Sequence, residues 1–412
     1  MNEIEEGMLS PYRVLDLTDE KGLICGKILG DLGADVIKIE KPGGDTTRNF
    51  GPFYHDDPDP KKSLFWFAYN TNKRGITLNL ETTDGKGIFK KLVKTADIIV
   101  ESFKLGYINK LGLGYPVLEK INPGIILISI TPFGQTGPYK NWKTSDIVAW
   151  ALGGYMLSVG DVDRPPVRIS HHSHAYLQAG AEAAQGAIMA IYHRELSGEG
   201  QFVDVSIHDC VTRCTPERIT HQFEFGQRIN IRGAKGRLRY VWPCKDGYVT
   251  TQYWSGQFGK RWTLPLVRWM ESEGIADDFI KKIDWQTFSL REAPPEVMER
   301  IEELTIKLFM SHTKAEILEQ GLKHNAQVYP VANTDDIANN PQLADRGFWT
   351  ELEHPELGTT IKYPGGFAKT TEAPPRVSRR APLIGEHNDE IYQEELGFSK
   401  EALLVLKQAG VI

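Results

Sequence analysis

The sequence predicts an α/β protein with a Rossmann-like large domain and a smaller domain in the middle of the chain. Three observations carry this. Short apolar runs alternate with helical periods through the first third, the pattern changes after about residue 220, and it returns after about residue 330. Strands separated by helices of this length imply βαβ units, and so a parallel sheet.

Taken in order, Tyr12–Thr18 reads as a buried strand, Gly22–Leu32 as a helix and Asp35–Glu40 as a second strand. Gly85–Lys94 has a helical pattern, and Asp97–Glu101 and Gly124–Ile130 are further strands. The first turn, Thr18-Asp-Glu-Lys-Gly-Leu23, has no Gly-x-Gly-x-x-Gly. Without those glycines the backbone cannot approach a pyrophosphate closely, so binding of NAD has little support. Gly180–His193 is a helix whose many small residues suit close packing; Val203–Ile207 is a short strand, followed by a helix through Cys214. A basic, glycine-containing loop, Arg228–Arg239, then leads to Tyr248–Tyr253 and a mixed region of different character.

With 412 residues the chain is long enough for two domains. Its 41% hydrophobic and 25% charged residues are ordinary for a soluble globular protein, and a net charge of −6 gives no sign of a nucleic-acid or membrane surface. No run approaches 18 apolar residues, so no transmembrane helix is expected. The acidic start, Met-Asn-Glu-Ile-Glu-Glu-Gly, has no apolar signal region, and four cysteines in so long a chain fit a reducing compartment. The expected location is cytoplasmic. Cys210 and Cys214 lie one helical turn apart with no second pair nearby, and read as core thiols rather than a metal site.

The segment Pro165-Pro-Val-Arg-Ile-Ser-His-His-Ser-His-Ala-Tyr-Leu-Gln-Ala-Gly180 leads into the small-residue helix, and Ser197-Gly-Glu-Gly-Gln-Phe-Val-Asp-Val-Ser206 follows it. Further motifs are Val14–Thr18, Leu32–Glu40, Gly44–Arg48, Asn70–Leu80, Ala96–Phe103, Thr131–Tyr139, Val328–Asn333, Asn340–Phe348 and Ala381–His387. Each is modest alone. In this order and over nearly the whole chain they resemble the family III CoA-transferases, of the formyl-CoA and carnitine CoA-transferase type. The resemblance implies a large CoA-binding domain from both chain ends (1–220 with 331–412), a small domain at 221–330, and an interlocked dimer.

It also implies an aspartate at the start of the small-residue helix, as the nucleophile. Aligned back from Gly198-Glu-Gly-Gln201, that position holds Tyr176. A phenol cannot form the mixed anhydride that a carboxylate forms with a thioester, so no catalytic residue is assigned. The family's Gln-x-Gly-Pro turn is here Glu20-Lys-Gly-Leu23, one residue shorter. Positions that the resemblance assigns to CoA are Lys41, in place of an arginine beside the adenine; Leu78, Asn79 and Leu80; Ser102, Phe103 and Lys104; Lys110, in place of another arginine; and Asp146, near the active centre. Glu81 stands where the family has a base and would repel phosphate. Each lysine has a surface-charge alternative, and Asp146 an alternative as N-cap of a helix beginning at Ile147.

The cluster Ser170-His-His-Ser-His174 reads best as a hydrogen-bonded loop; no metal is expected, and a general-base histidine is the lesser alternative. Trp242, Tyr253 and Trp254 line an aromatic-acid pocket or belong to the core. The racemase branch of the superfamily uses a His/Asp pair at the positions of Ser145 and Tyr176, so that reading falls. What stands is a CoA-transferase subunit lacking the nucleophile, inactive alone and partnered in a hetero-oligomer by a catalytic paralogue. CoA thioester is its substrate and no cofactor is tightly bound. The alternative is a self-sufficient acyl-CoA enzyme with a His/Tyr-based mechanism.

Overall fold

A computed structural model describes residues 7–160, 165–170, 172–216, 238–290 and 292–412. It divides the chain into two compact units: Met1–Met156 with Arg168–Phe225 and Leu343–Ile412, and Leu157–Val167 with Gly226–Gln342. Residues 331–342, set with the large domain from sequence, fall in the second unit, as does the short stretch 157–167.

The first unit is built on a six-stranded parallel sheet. Its strands are β1 (Arg13–Leu17), β2 (Asp35–Glu40), β3 (Lys73–Thr77), β4 (Ile98–Glu101), β5 (Ile126–Thr131) and β6 (Phe202–Ser206), in the order β3-β2-β1-β4-β5-β6. The chain reverses its direction of growth between β1 and β4, and in such sheets ligands bind beyond the carboxyl ends of the strands at that point. Strands β1, β4 and β5 are largely apolar on both faces. Val14, Val36, Ile98 and Ile128 join one core with helices α1 (Leu23–Asp31) and α7 (His174–Ser197); Leu15, Ile37, Ile99 and Leu127 join another with α3 (Thr83–Val93) and the C-terminal segment. Between lie α2 (Leu64–Tyr69), α3 (Thr83–Val93), α4 (Tyr107–Lys110), α5 (Tyr115–Leu118) and α6 (Asp146–Leu152).

Helix α7 (His174–Ser197) begins six residues before the small-residue run, and α8 (Ile207–Thr212) follows β6. Ala175, Ala179, Ala183 and Ala187 bury one face of α7, and an added Cβ at Gly180 would overlap Ile24 of α1. Close helix contact therefore needs the missing side chain there. Gly198 ends α7 at φ 78°, a left-handed C-cap that glycine adopts without strain. Cys210 is buried in the same core.

The second unit has an antiparallel sheet of β7 (Val241–Cys244), β8 (Gly247–Thr250) and β9 (Tyr329–Pro330), with helices Leu264–Ser272, Pro295–Met310 and Lys314–His324. Trp242 and Tyr253 lie in its core; the Trp242 indole donates to the Thr251 carbonyl and the Tyr253 hydroxyl pairs with Thr305 at 2.6 Å. These two rings pack the unit rather than line a pocket. Most of the Arg228–Arg239 loop lies outside the described residues, as do Asp161, Asp163 and His171.

Candidate active site

A crevice of about 160 Å³ opens beyond the carboxyl ends of β1 to β4. Leu17, Thr18 and Asp19 reach it from β1, Glu40 and Lys41 from β2, Leu78, Leu80 and Glu81 from β3, and Ser102 and Phe103 from β4. The turn after β1 is tied across the switch point to β4. Ser102 donates to Asp19 at 2.7 Å, and its oxygen accepts the Asp19 N–H at 2.9 Å.

A buried ionic network supports these turns. Asp16 is inaccessible and accepts from the Lys73 ammonium at 2.8 Å, with Lys38 3.7 Å away. Burial pushes the Asp16 carboxyl up, but Lys73 and then Lys38 outweigh it and hold it below the usual range. Lys38 also reaches the Thr18 carbonyl and lies 3.5 Å from Asp45. Glu40 receives two bonds from Arg48, each 2.7 Å, and the Arg48 guanidinium lies 3.7 Å over the Trp66 ring. Arg48 and the Trp66 indole both donate to the Pro382 carbonyl at 3.0 Å. The Gly44–Arg48 and Ala381–His387 motifs thus meet in one structural cluster.

Of the positions assigned to CoA by resemblance, Lys41, Leu78, Leu80, Ser102 and Phe103 line the crevice. Asn79 does not: its amide donates to the Gly410 carbonyl and its oxygen accepts the Glu81 N–H. Lys104 and Lys110 are exposed outside the lining. Asp146 sits elsewhere, at the junction of α6 and α7. Sequence reasoning missed Asp19, Asp45 and Tyr107 as lining residues. The carboxyl ends of strands were the available signal for Asp19; Asp45 comes from a loop and Tyr107 from the start of α4, which no strand end marks.

A second cavity, about 400 Å³, lies at the start of α7 and is lined by Glu20, Leu23, Phe50, Phe65, Tyr69 and Leu177, among others. Glu20 follows directly on Asp19, so one short turn borders both spaces. Burial, then the Asp19 carboxylate, pushes the Glu20 carboxyl up. Tyr176, the third residue of α7, is buried. Burial, then the carboxylates of Glu20, Asp146 and Asp19, raises its phenol above the ordinary value. A helix N-terminus favours negative charge, yet this one presents a neutral hydroxyl among acids.

Asp146 is not the N-cap of its own helix. It is the first residue of α6, behind the N-cap Ser145, and its carboxylate accepts the Ala175 N–H at 2.8 Å instead. The reason lies in α7, whose N-cap Ser173 makes no side-chain cap. Before α7, the Ser170 hydroxyl accepts the His172 N–H at 3.1 Å, and His172 borders the larger cavity. No group of His, Cys, Asp and Glu arranged to hold a metal occurs among the described residues, and no helix among them is long and apolar enough to cross a membrane.

A family model described as CoA-transferase family III matches residues 9–388. Subunit BbsE of succinyl-CoA:(R)-benzylsuccinate CoA-transferase from Thauera aromatica is 36% identical, over 93% of this chain and 93% of that protein. The beta subunit of succinyl-CoA–L-malate CoA-transferase from Chloroflexus aurantiacus is 30% identical, over 98% of each. A crystal structure of a CAIB/BAIF family protein from Brucella suis superposes with a TM-score of 0.82 at 27% identity, over 95% of this chain and all of that one. On this evidence the chain belongs to CoA-transferase family III.

Proposed function

We propose that this chain is the non-nucleophilic subunit of a heteromeric CoA-transferase, inactive alone and interlocked with a paralogue that carries the nucleophilic carboxylate. The observation that carries this is Tyr176 at the start of α7. In the transferase reaction a carboxylate attacks the donor thioester, giving a mixed anhydride and free CoA thiolate; the thiolate attacks the enzyme's acyl carbon, releasing the donor acid and leaving an enzyme thioester. The acceptor carboxylate displaces the thiolate to form a second anhydride, and the thiolate then takes the acceptor acyl group and frees the enzyme carboxylate. A phenol raised by burial and by the charges of Glu20, Asp146 and Asp19 stays protonated and cannot begin that sequence.

What remains is a site without its first step. The crevice at β1–β4, lined by Lys41, Leu78, Leu80, Ser102 and Phe103, is the place for the CoA portion. The relatives named as subunits, BbsE and the malate enzyme's beta subunit, support the heteromer. The BbsE likeness supports succinyl-CoA as donor and benzylsuccinate as acceptor, a reaction suited to anaerobic breakdown of aromatic compounds in the cytoplasm.

Native mass spectrometry of the complex, purified from its own cells through a tag on this chain, tests the reading. A second chain of similar mass and the same family, in equal ratio, is the expected result. A homodimer that transfers CoA unaided would overturn it, and attention would move to the histidines and tyrosine between residues 171 and 176.

A further inference from the structure

The crevice carries its charge in an unusual arrangement for a polyanionic ligand. Lys41 is the one basic side chain among the described residues that line it, against the carboxylates of Asp19, Glu40, Asp45 and Glu81. Three of these acids are engaged within the protein. Asp19 is bonded by Lys21 and Ser102, Glu40 by Arg48, and Asp45 by Thr47. Glu81 instead faces Lys41, at 3.2 Å, on the exposed rim.

An exposed pair of this kind is ordinarily a transient contact. Here the carboxylate is fixed from a second side. The Tyr107 hydroxyl on α4 donates to the same Glu81 oxygen at 2.7 Å, and the Tyr107 ring packs against Phe103 with centroids 5.2 Å apart. The Glu81 N–H is bonded by the Asn79 side chain at 3.0 Å. Backbone and carboxylate are both anchored before Lys41 joins them. A phosphate that meets Lys41 must also sit within a few ångströms of Glu81, where a like charge opposes it.

We infer that Glu81 is a specificity determinant of the crevice: it withdraws Lys41 from anion recognition and sets this chain against the phosphate groups of a CoA thioester. The inference rests on reading the crevice as the CoA site. The neutral pantetheine arm is untouched by it, so the discrimination is confined to the charged part of the ligand.

Calorimetric titration of the native assembly with CoA, and separately with pantetheine, tests this in the wild type, Glu81→Gln, Lys41→Gln and the double variant. All changes are at exposed positions, so folding is not at stake. Glu81→Gln is expected to tighten one class of CoA sites about five- to tenfold, the size of an opposing charge at short range in water. Pantetheine should move less than twofold. The gain should vanish in the double variant and shrink as salt rises from about 0.05 to 0.5 M. Lys41→Gln alone leaves the Glu81 charge unopposed and should weaken CoA binding by a similar factor. If Lys41→Gln weakens CoA binding but Glu81→Gln leaves its affinity unchanged or weaker, the inference falls and the CoA reading stands. If no variant of this chain alters the binding of either ligand, both fall together.

Discussion

The carboxylate of Asp146 accepts the backbone N–H of Ala175 at 2.8 Å, so the first turn of α6 closes the first turn of α7. The N–H groups of a helix's first turn have no partner within the helix, and a carboxylate also suits the positive end of the helix dipole. Asp146 further approaches Arg168 at 3.6 Å. The segment that presents Tyr176 is therefore held by a residue thirty positions earlier.

Asp146→Ala should destabilise the protein by about 1–3 kcal/mol, the range for a lost cap that leaves a buried N–H unsatisfied. Asp146→Asn keeps an acceptor and should recover most of the loss. Urea denaturation followed by circular dichroism separates the two, and equal losses would contradict the capping role.

Tyr176→Phe should change stability little, because no hydrogen bond to the Tyr176 hydroxyl occurs among the described residues. Tyr176→Asp should be costly. The new carboxyl would be buried beside Glu20, Asp146 and Asp19, which raise an acid's pKa. An acid raised on folding binds its proton more tightly in the native state, so stability falls as pH rises from the unfolded value through the folded one. Thermal melts should show a larger deficit at pH 8 than at pH 5. Treatment with acyl-CoA and hydroxylamine should leave no hydroxamate on this chain, and mass spectrometry would detect one.

Much of the first unit was legible in the sequence. The runs at Tyr12–Thr18, Asp35–Glu40, Asp97–Glu101 and Gly124–Ile130 became β1, β2, β4 and β5 with ends shifted by at most two residues. The alternation of apolar runs with helical periods is strong where both sheet faces are covered. Strand β3, Lys-Arg-Gly-Ile-Thr, was read only as part of a family motif. Its charged residues conceal it, because Lys73 and Arg74 are buried by ion pairs with Asp16 and Asp35 rather than by apolar contact. The same holds for the site: contiguous motifs pointed to Leu78, Leu80, Ser102 and Phe103, whereas the Glu81–Lys41–Tyr107 contact joins three segments that no spacing relates.

Glu101 supplies a pH test. Its carboxyl is buried at the end of β4, bonded by Ser129 and by the Phe103 N–H at 2.6 Å. Burial pushes it up to about 7 from an ordinary 4.5, against the opposing pull of those bonds. Folded Glu101 thus holds its proton where the unfolded chain has lost it. Its contribution falls as pH rises from about 4.5 to 7 and is level above that. Glu101→Gln should flatten this part of the stability profile, with a gain on the order of 3 kcal/mol or less above pH 7. Chemical denaturation at pH 5, 6, 7 and 8 measures it, and parallel profiles for the two proteins would refute it.

Arg48→Lys should be far from conservative. Lysine cannot reproduce the paired bonds to Glu40, the bond to Pro382 and the flat contact over Trp66 at once. A loss of about 2–4 kcal/mol is expected, approaching the cost of breaking a buried ion pair outright. The urea midpoint checks it; a shift equivalent to less than about 1 kcal/mol would show that the cluster adapts to a point charge.

β3 is the edge of the sheet, and its covering arrives late. The Gly75 and Thr77 N–H groups donate to His387 and Asn388 at 3.0 and 2.9 Å, and the Asn72 side chain accepts from the N–H groups of Ser378 and Arg379. These partners lie about 300 residues downstream, so a ribosome delivers them long after the six strands. For most of synthesis the nascent sheet carries an open edge, the feature by which strands join wrong partners. Closure of the large unit therefore waits on residues 376–388, and until they arrive β3 is left uncovered to its neighbours.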